Sequence, residues 1–161
     1  MQLYQDLILK HAKNSPFERL VLAATHSATG ANPLCGDAIE IALRIDGDVI
    51  VEVGFQGEMS AITRASASLM CGMMAGATVW EAQTRIEVAF ALLTGVDSLE
   101  FDITLGEFAA MRILRSYPNR IKTATLPWAA LRQALLGGAK AIVTTEPFSR
   151  LVQENRANGH K

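Results

Sequence analysis

From residue 39 to residue 55 the chain alternates side chains with the period of a β-strand. Ile39, Ile41, Leu43 and Ile45 are separated by Glu40, Ala42 and Arg44, and Val49, Val51, Val53 and Phe55 are interleaved with Ile50 and Glu52. A period of two puts one row of side chains on each face of a sheet. Asp46-Gly47 lies between the runs, where a tight reversal wants residues that tolerate positive φ. The pattern predicts an antiparallel hairpin over 38–55. Its odd-numbered side chains would share one core face, leaving the other face more polar.

After Met59 the period becomes helical. Ile62, Ala65, Leu69 and Met73 predict a helix from Ser60, a good N-cap, to about Ala75, with Gly76 as its stop. Ser66-Ala67-Ser68 keeps one side of it small, which permits close packing. A second helix is expected over 78–94 on Val79, Ile86, Phe90 and Leu93, with a Glu81–Arg85 pair one turn apart and Gly95 as its end. A short helix is expected near 106–115. The last long helix runs over about 119–136 on Ile121, Ala124, Trp128, Leu131 and Leu135. Pro127 inside it removes the amide that would bond the Thr123 carbonyl, so a kink or restart is expected there. Upstream of the hairpin, Leu3, Leu7, Ile8 and His11 predict an amphipathic helix over 3–13. Arg19–Ala24 reads as a first strand and 25–33 as a loop.

Strands first and helices after indicate an α+β fold: a small antiparallel sheet, made of hairpin 38–55 plus the N-terminal strand, covered on one face by helices. The 161 residues, half of them hydrophobic, suit one domain over 1–161 with its core at about 3–136. The tail, 139–161, holds an apolar run (Ala141-Ile142-Val143) and a helix candidate over 148–156.

A net charge of −1 gives no reason to expect nucleic acid or a membrane surface as partner. Charges interrupt every apolar stretch well short of the about 20 residues that span a bilayer. Residues 1–6 lack a charged and then apolar leader. Two cysteines, Cys35 and Cys71, make no disulfide framework and read as reduced thiols. The expectation is a cytoplasmic protein. There is no phosphate-cradling glycine loop, nucleophile elbow or metalloprotease helix, so a self-sufficient enzyme is not expected.

Chemistry concentrates in Asn32-Pro33-Leu34-Cys35-Gly36-Asp37, which offers a thiol and a carboxylate two residues apart on a turn. Cys35, between Pro33 and Gly36, is the candidate nucleophile, since the thiolate is the reactive form. Asp37 reads either as a ligand or as a turn carboxylate bonded to backbone amides. Cys71, beside a run of methionines, reads as core filler. His11 and His26 lack spaced partners and read as structural, and His160, in the tail, is given no role. Arg64 lies one turn from Ser60 and is a candidate for the same end of the molecule.

The Asn-Pro-x-Cys-Gly-Asp loop is one of several coordinated motifs. Gly57-Glu58-x-x-Ala61-Ile62-x-x-Ala65-Ser66-Ala67-Ser68 opens the helix after the hairpin, and Arg120-Ile121-Lys122-x-Ala124-x-Leu126-x-Trp128 begins the late helix. The opening Leu3-Tyr4-x-x-Leu7-Ile8-x-x-His11-x-Lys13-Asn14 belongs with them. Together they resemble the NifU/IscU-type iron–sulfur cluster assembly proteins over residues 3–136. The long stretch between Ser68 and Arg120, and Lys122 where IscU-type members carry a histidine, point to the SufU-like branch.

The resemblance implies a small antiparallel sheet with helices on one side. It also implies three cysteines and an aspartate converging at one end to hold zinc, iron or a transient iron–sulfur cluster. Here Cys35 and Asp37 stand at two of those metal-ligand positions. Ser60 and Thr123 occupy the positions of the other two cysteines, and Glu58 and His26 are the side chains available as substitutes. The implied function is sulfur acceptance by Cys35 from a cysteine desulfurase, with Lys122 favouring the thiolate and other iron–sulfur assembly proteins as further partners. The alternative is a degenerate, non-catalytic homologue that only docks on and regulates a desulfurase or an intact scaffold.

Overall fold

In a computed structural model of the chain, residues 2–96, 101–137 and 141–144 are described. Helix α1 (Gln2–Lys13) is followed by an irregular segment and then strands β1 (His26–Asn32), β2 (Asp37–Asp46) and β3 (Val49–Glu58). Helices α2 (Ala61–Met74), α3 (Val79–Thr94) and α4 (Phe101–Leu105) come next. A 3₁₀ helix (Gly106–Ser116), helix α5 (Pro118–Leu135) and strand β4 (Ala141–Thr144) complete the order. The sheet order is β3-β2-β1-β4; β1–β2 and β2–β3 are antiparallel, and β4 lies parallel to β1. The α+β expectation therefore holds, and the apolar run at 141–143 adds an edge strand to it. The helix candidate at 148–156 and His160 lie outside the described residues.

The hairpin forms as its alternation predicts, with one correction. Arg44 pairs with Glu52 but Ile45 pairs with Ile50, leaving Val51 as an extra residue. One inserted residue reverses which face the following side chains take. Ile50 is consequently buried, while Val51 is 42% exposed, against the expectation that odd positions face the core. Beyond the bulge, Val53 and Phe55 rejoin Ile39, Ile41 and Leu43 on the apolar face.

The first strand is not where the sequence suggested. Residues 19–24 are irregular; the segment from Phe17 onward meets β3 through a bridge at Glu18, the bond from the Phe55 amide to the Phe17 carbonyl, an Arg19–Glu52 ion pair and the close approach of Arg19 and Val21 to Gly54. Of this apolar run Val21 is buried, while Leu20 and Leu22 are exposed. The strand is instead β1, within the stretch expected to be loop. It consists of small residues, and the reason is visible in the packing. Helix α5 lies against β1, and a Cβ at Gly30 would meet Leu126 Cδ1 at 2.9 Å. Small side chains let the helix sit close to the strand.

The helices expected over 60–75 and 78–94 form, each with a hydroxyl cap. Ser60 accepts from the Thr63 amide, and Thr78 forms a capping box with Glu81. Glu81 is thereby committed to the cap, and Arg85 donates to the Met73 carbonyl in place of the expected Glu81–Arg85 pair. On α1, Tyr4 and Leu7 are buried and Leu3 is exposed, which turns the inward face by one position. Helix α5 runs through Pro127 without restarting. Trp128 is fully buried at the centre, its ring 4.9 Å from that of Phe108.

Candidate functional site

The Asn32–Asp37 stretch is the reversal between β1 and β2. Asn32 and Asp37 are paired across the strands, and the Cys35 amide bonds to the Asn32 carbonyl at 3.1 Å. Gly36, at φ 70°, completes the turn in the left-handed region. This geometry leaves Leu34 and Cys35 exposed at the tip, while Asn32 and Asp37 go inward.

Asp37 is 2% exposed and reaches the first turn of α2. Its Oδ1 accepts the Ser60 amide at 2.6 Å, and its Oδ2 accepts the Thr63 hydroxyl at 2.7 Å. A helix start has free amides and a positive dipole end, so a buried carboxylate is well placed there. The Thr63 hydroxyl also lies 3.1 Å from Ser60 Oγ and 3.3 Å from the Thr123 carbonyl. That carbonyl is the one deprived of its helical partner by Pro127. The proline is tolerated in part because a hydroxyl from α2 supplies a share of the missing bond. One turn further on, the Ser66 hydroxyl donates to the Ala124 carbonyl at 2.6 Å and accepts Trp128 Nε1 at 3.2 Å.

Thr123 connects this interior network to the exposed thiol. Its hydroxyl donates to the Asn119 carbonyl at 3.2 Å and lies 3.5 Å from Cys35 Sγ. With its proton turned into the helix, the hydroxyl oxygen is free to accept from the thiol.

The structure thus brings Cys35, Asp37, Ser60 and Thr123 together. Lys122 precedes Thr123 on α5, is half-buried, and makes no ion pair with a described residue. The other candidates fall elsewhere. His26 starts β1, at the end of the strand away from the turn, and bonds Thr25. Arg64 is ion-paired with Glu18 instead of lining the site. His11 bridges α1 to α2 and the 3₁₀ helix, 3.0 Å from Ser68 Oγ and 3.4 Å from Glu107 Oε2. Cys71 is fully buried, and burial pushes its thiol pKa up, offset in part by Arg19. Glu58 sits at the exposed end of β3 opposite Ala38, and no group of three His, Cys, Asp or Glu side chains suited to a metal forms among the described residues. Thr63 was not foreseen from the sequence. Its signal was present in Ser60-x-x-Thr63, a second hydroxyl one turn beyond a cap.

The chain is similar to known proteins along most of its length. The NifU-like N-terminal domain matches residues 3–124. The chain is 33% identical over 133 residues to the zinc-dependent sulfurtransferase SufU of Bacillus subtilis (strain 168), covering 83% of this chain and 89% of the relative. It is 30% identical over 139 residues to the iron–sulfur cluster assembly scaffold protein IscU of Streptococcus pyogenes serotype M1, covering 86% of each. The crystal structure of FiSufU from Fervidobacterium islandicum AW-1 superposes with a TM-score of 0.78 at 31% identity, covering 83% of this chain and 97% of that one. With the Cys35 turn, the capped α2 and the early part of α5 all inside the matched region, the chain belongs to the NifU-like N-terminal domain family, among relatives that include SufU and IscU proteins.

Proposed function

We propose that the protein serves iron–sulfur cluster assembly as a sulfur acceptor, with Cys35 taking sulfur from the persulfide of a cysteine desulfurase. The observation that carries this reading is the exposed Cys35 thiol at the tip of the β1–β2 turn, 3.5 Å from the Thr123 hydroxyl. The names of the relatives, a sulfurtransferase and a cluster assembly scaffold, support it.

The transfer is an exchange at sulfur and needs no outside oxidant. The Cys35 thiolate attacks the outer sulfur of the donor persulfide. A new S–S bond forms on Cys35 while the donor S–S bond breaks, and the donor cysteine leaves as a thiolate that takes up the proton Cys35 released. The Thr123 hydroxyl can rotate its proton from the Asn119 carbonyl to the sulfur, supporting the thiolate as it forms. The Lys122 ammonium, on the same turn of α5, adds positive charge at this end. Leu34, 74% exposed beside the thiol, gives the partner an apolar contact.

The test is to incubate the protein with a cysteine desulfurase and cysteine, then read the mass of the peptide containing Cys35. A gain of one sulfur that Cys35→Ser abolishes and Cys71→Ser leaves intact is expected. An adduct on Cys71, or no adduct at all, would overturn the reading. A Cys35→Ser protein that still alters desulfurase turnover, with no adduct on the wild type, would establish the docking-only alternative instead.

A further inference from the structure

We propose that this chain has exchanged its family's zinc site for a metal-free clasp closed by the Thr63 hydroxyl, and that it does not retain zinc there. The family resemblance and the zinc-dependent relative imply a metal at the place where Cys35, Asp37, Ser60 and Thr123 meet. The donors present do not fit one. A closed zinc site takes about four ligands, chosen from thiolate, imidazole and carboxylate. Ser60 and Thr123 offer neutral hydroxyls, and both are already engaged within the protein. Asp37 is buried with each carboxylate oxygen holding a donor, one from the Ser60 amide and one from Thr63. Turning it toward a metal at the Cys35 side would strip the Ser60 amide, in a half-buried bond, and the buried Thr63 hydroxyl of their acceptor. No third His, Cys, Asp or Glu joins Cys35 and Asp37 among the described residues.

The same network explains why no metal is needed to hold the site together. A structural zinc ties a turn to the helices that supply its ligands. Here Thr63 makes those ties. Its single hydroxyl proton goes to the Asp37 carboxylate at the base of the turn, with the open Thr123 carbonyl of α5 at 3.3 Å as the weaker branch of a shared bond, and its oxygen can accept from the Ser60 hydroxyl at the cap of α2. A charged acceptor makes the Asp37 bond the strongest of the three. The turn, α2 and α5 are thus joined by one side chain. This proposal stands whether or not Cys35 accepts sulfur, because its readouts are metal content and stability.

Wild-type protein would be loaded with excess zinc chloride, desalted and analysed for metal alongside Cys35→Ser. Wild type is expected to retain no more zinc than that variant, and its Tm to be unchanged by zinc or by EDTA. Thr63→Val, close in shape but without the hydroxyl, is expected to lower Tm by roughly 4 °C or more. The double variant Ser60→Cys/Thr123→Cys, which restores thiols on the same backbone, is expected to gain zinc in proportion to protein. Stoichiometric zinc on the wild type that depends on Cys35 and Asp37 would overturn the proposal. So would a Thr63→Val protein as stable as wild type. A folded double variant that stays metal-free would overturn the donor set as the cause. Should that variant not fold, the wild-type zinc content and Thr63→Val decide the matter.

Discussion

The two cysteines show how far surroundings set the behaviour of one functional group. Cys35 sits on an exposed turn with a hydroxyl for a neighbour, and Cys71 is packed inside α2. Burial disfavours the charged form, so Cys71 stays a neutral thiol where an ordinary cysteine would ionise. Iodoacetamide at pH 8 should therefore label Cys35 in the native protein and Cys71 only after unfolding. Equal labelling of both in the native state would contradict the packing. The shift also has a sign in stability. Above the ordinary thiol pKa the unfolded chain releases the Cys71 proton and the folded chain keeps it. Ionisation then favours the unfolded state, and stability falls as pH rises. Cys71→Ala should flatten the alkaline limb of a plot of denaturation midpoint against pH, whatever it costs in packing at neutral pH.

Among the elements, strands and helices differed in how much their own residues disclosed. The β2–β3 pair was legible because its alternation is local and its turn residues are specific. β1 was not. His26-Ser-Ala-Thr-Gly-Ala-Asn looks like a loop, because its side chains are small to admit α5, and α5 lies far away in sequence. The bulge at Val51 was equally hidden, since both registers have apolar residues to offer. The site divides in the same way. Cys35, Asp37, Ser60 and Thr123 each sit in a local motif, whereas Thr63 acquires its role only against the carbonyl that Pro127 leaves open on α5. Where β3 runs out beside the site, Gly57 has φ 139° and a Cβ there would fall on the Ala38 carbonyl oxygen. Backbone cannot give way as a side chain can, so Gly57→Ala should cost about 3 kcal/mol or more. Gly30→Ala, whose added methyl meets the movable Leu126 side chain, should cost less. Urea denaturation of the two variants checks the order, and equal midpoints would refute the backbone clash.

At the scale of the whole molecule, the Cys35 turn is held in place through the contact between α2 and α5. Two hydroxyls on α2 make that contact specific: Thr63 under the turn, and Ser66 deeper, between the Ala124 carbonyl and the Trp128 indole. Ser66 does no chemistry at Cys35, yet it fixes the seat of the helix that carries Thr123 and Lys122. Ser66→Ala leaves the buried indole N–H without its acceptor and the Ala124 carbonyl without its hydroxyl donor, a loss of about 1–3 kcal/mol that should appear as a Tm lower by roughly 2–4 °C per kcal/mol. Trp128→Phe removes the N–H itself, so adding Ser66→Ala to it should cost less than adding Ser66→Ala to wild type. The difference, about 0.5–3 kcal/mol, measures the coupling between the helices. If the site depends on that seat, Ser66→Ala should also change the rate at which iodoacetamide labels Cys35, though Ser66 touches neither the thiol nor its turn. Additive stabilities together with an unchanged Cys35 rate would mean that the turn and Thr63 hold the thiol by themselves, independently of the deeper core.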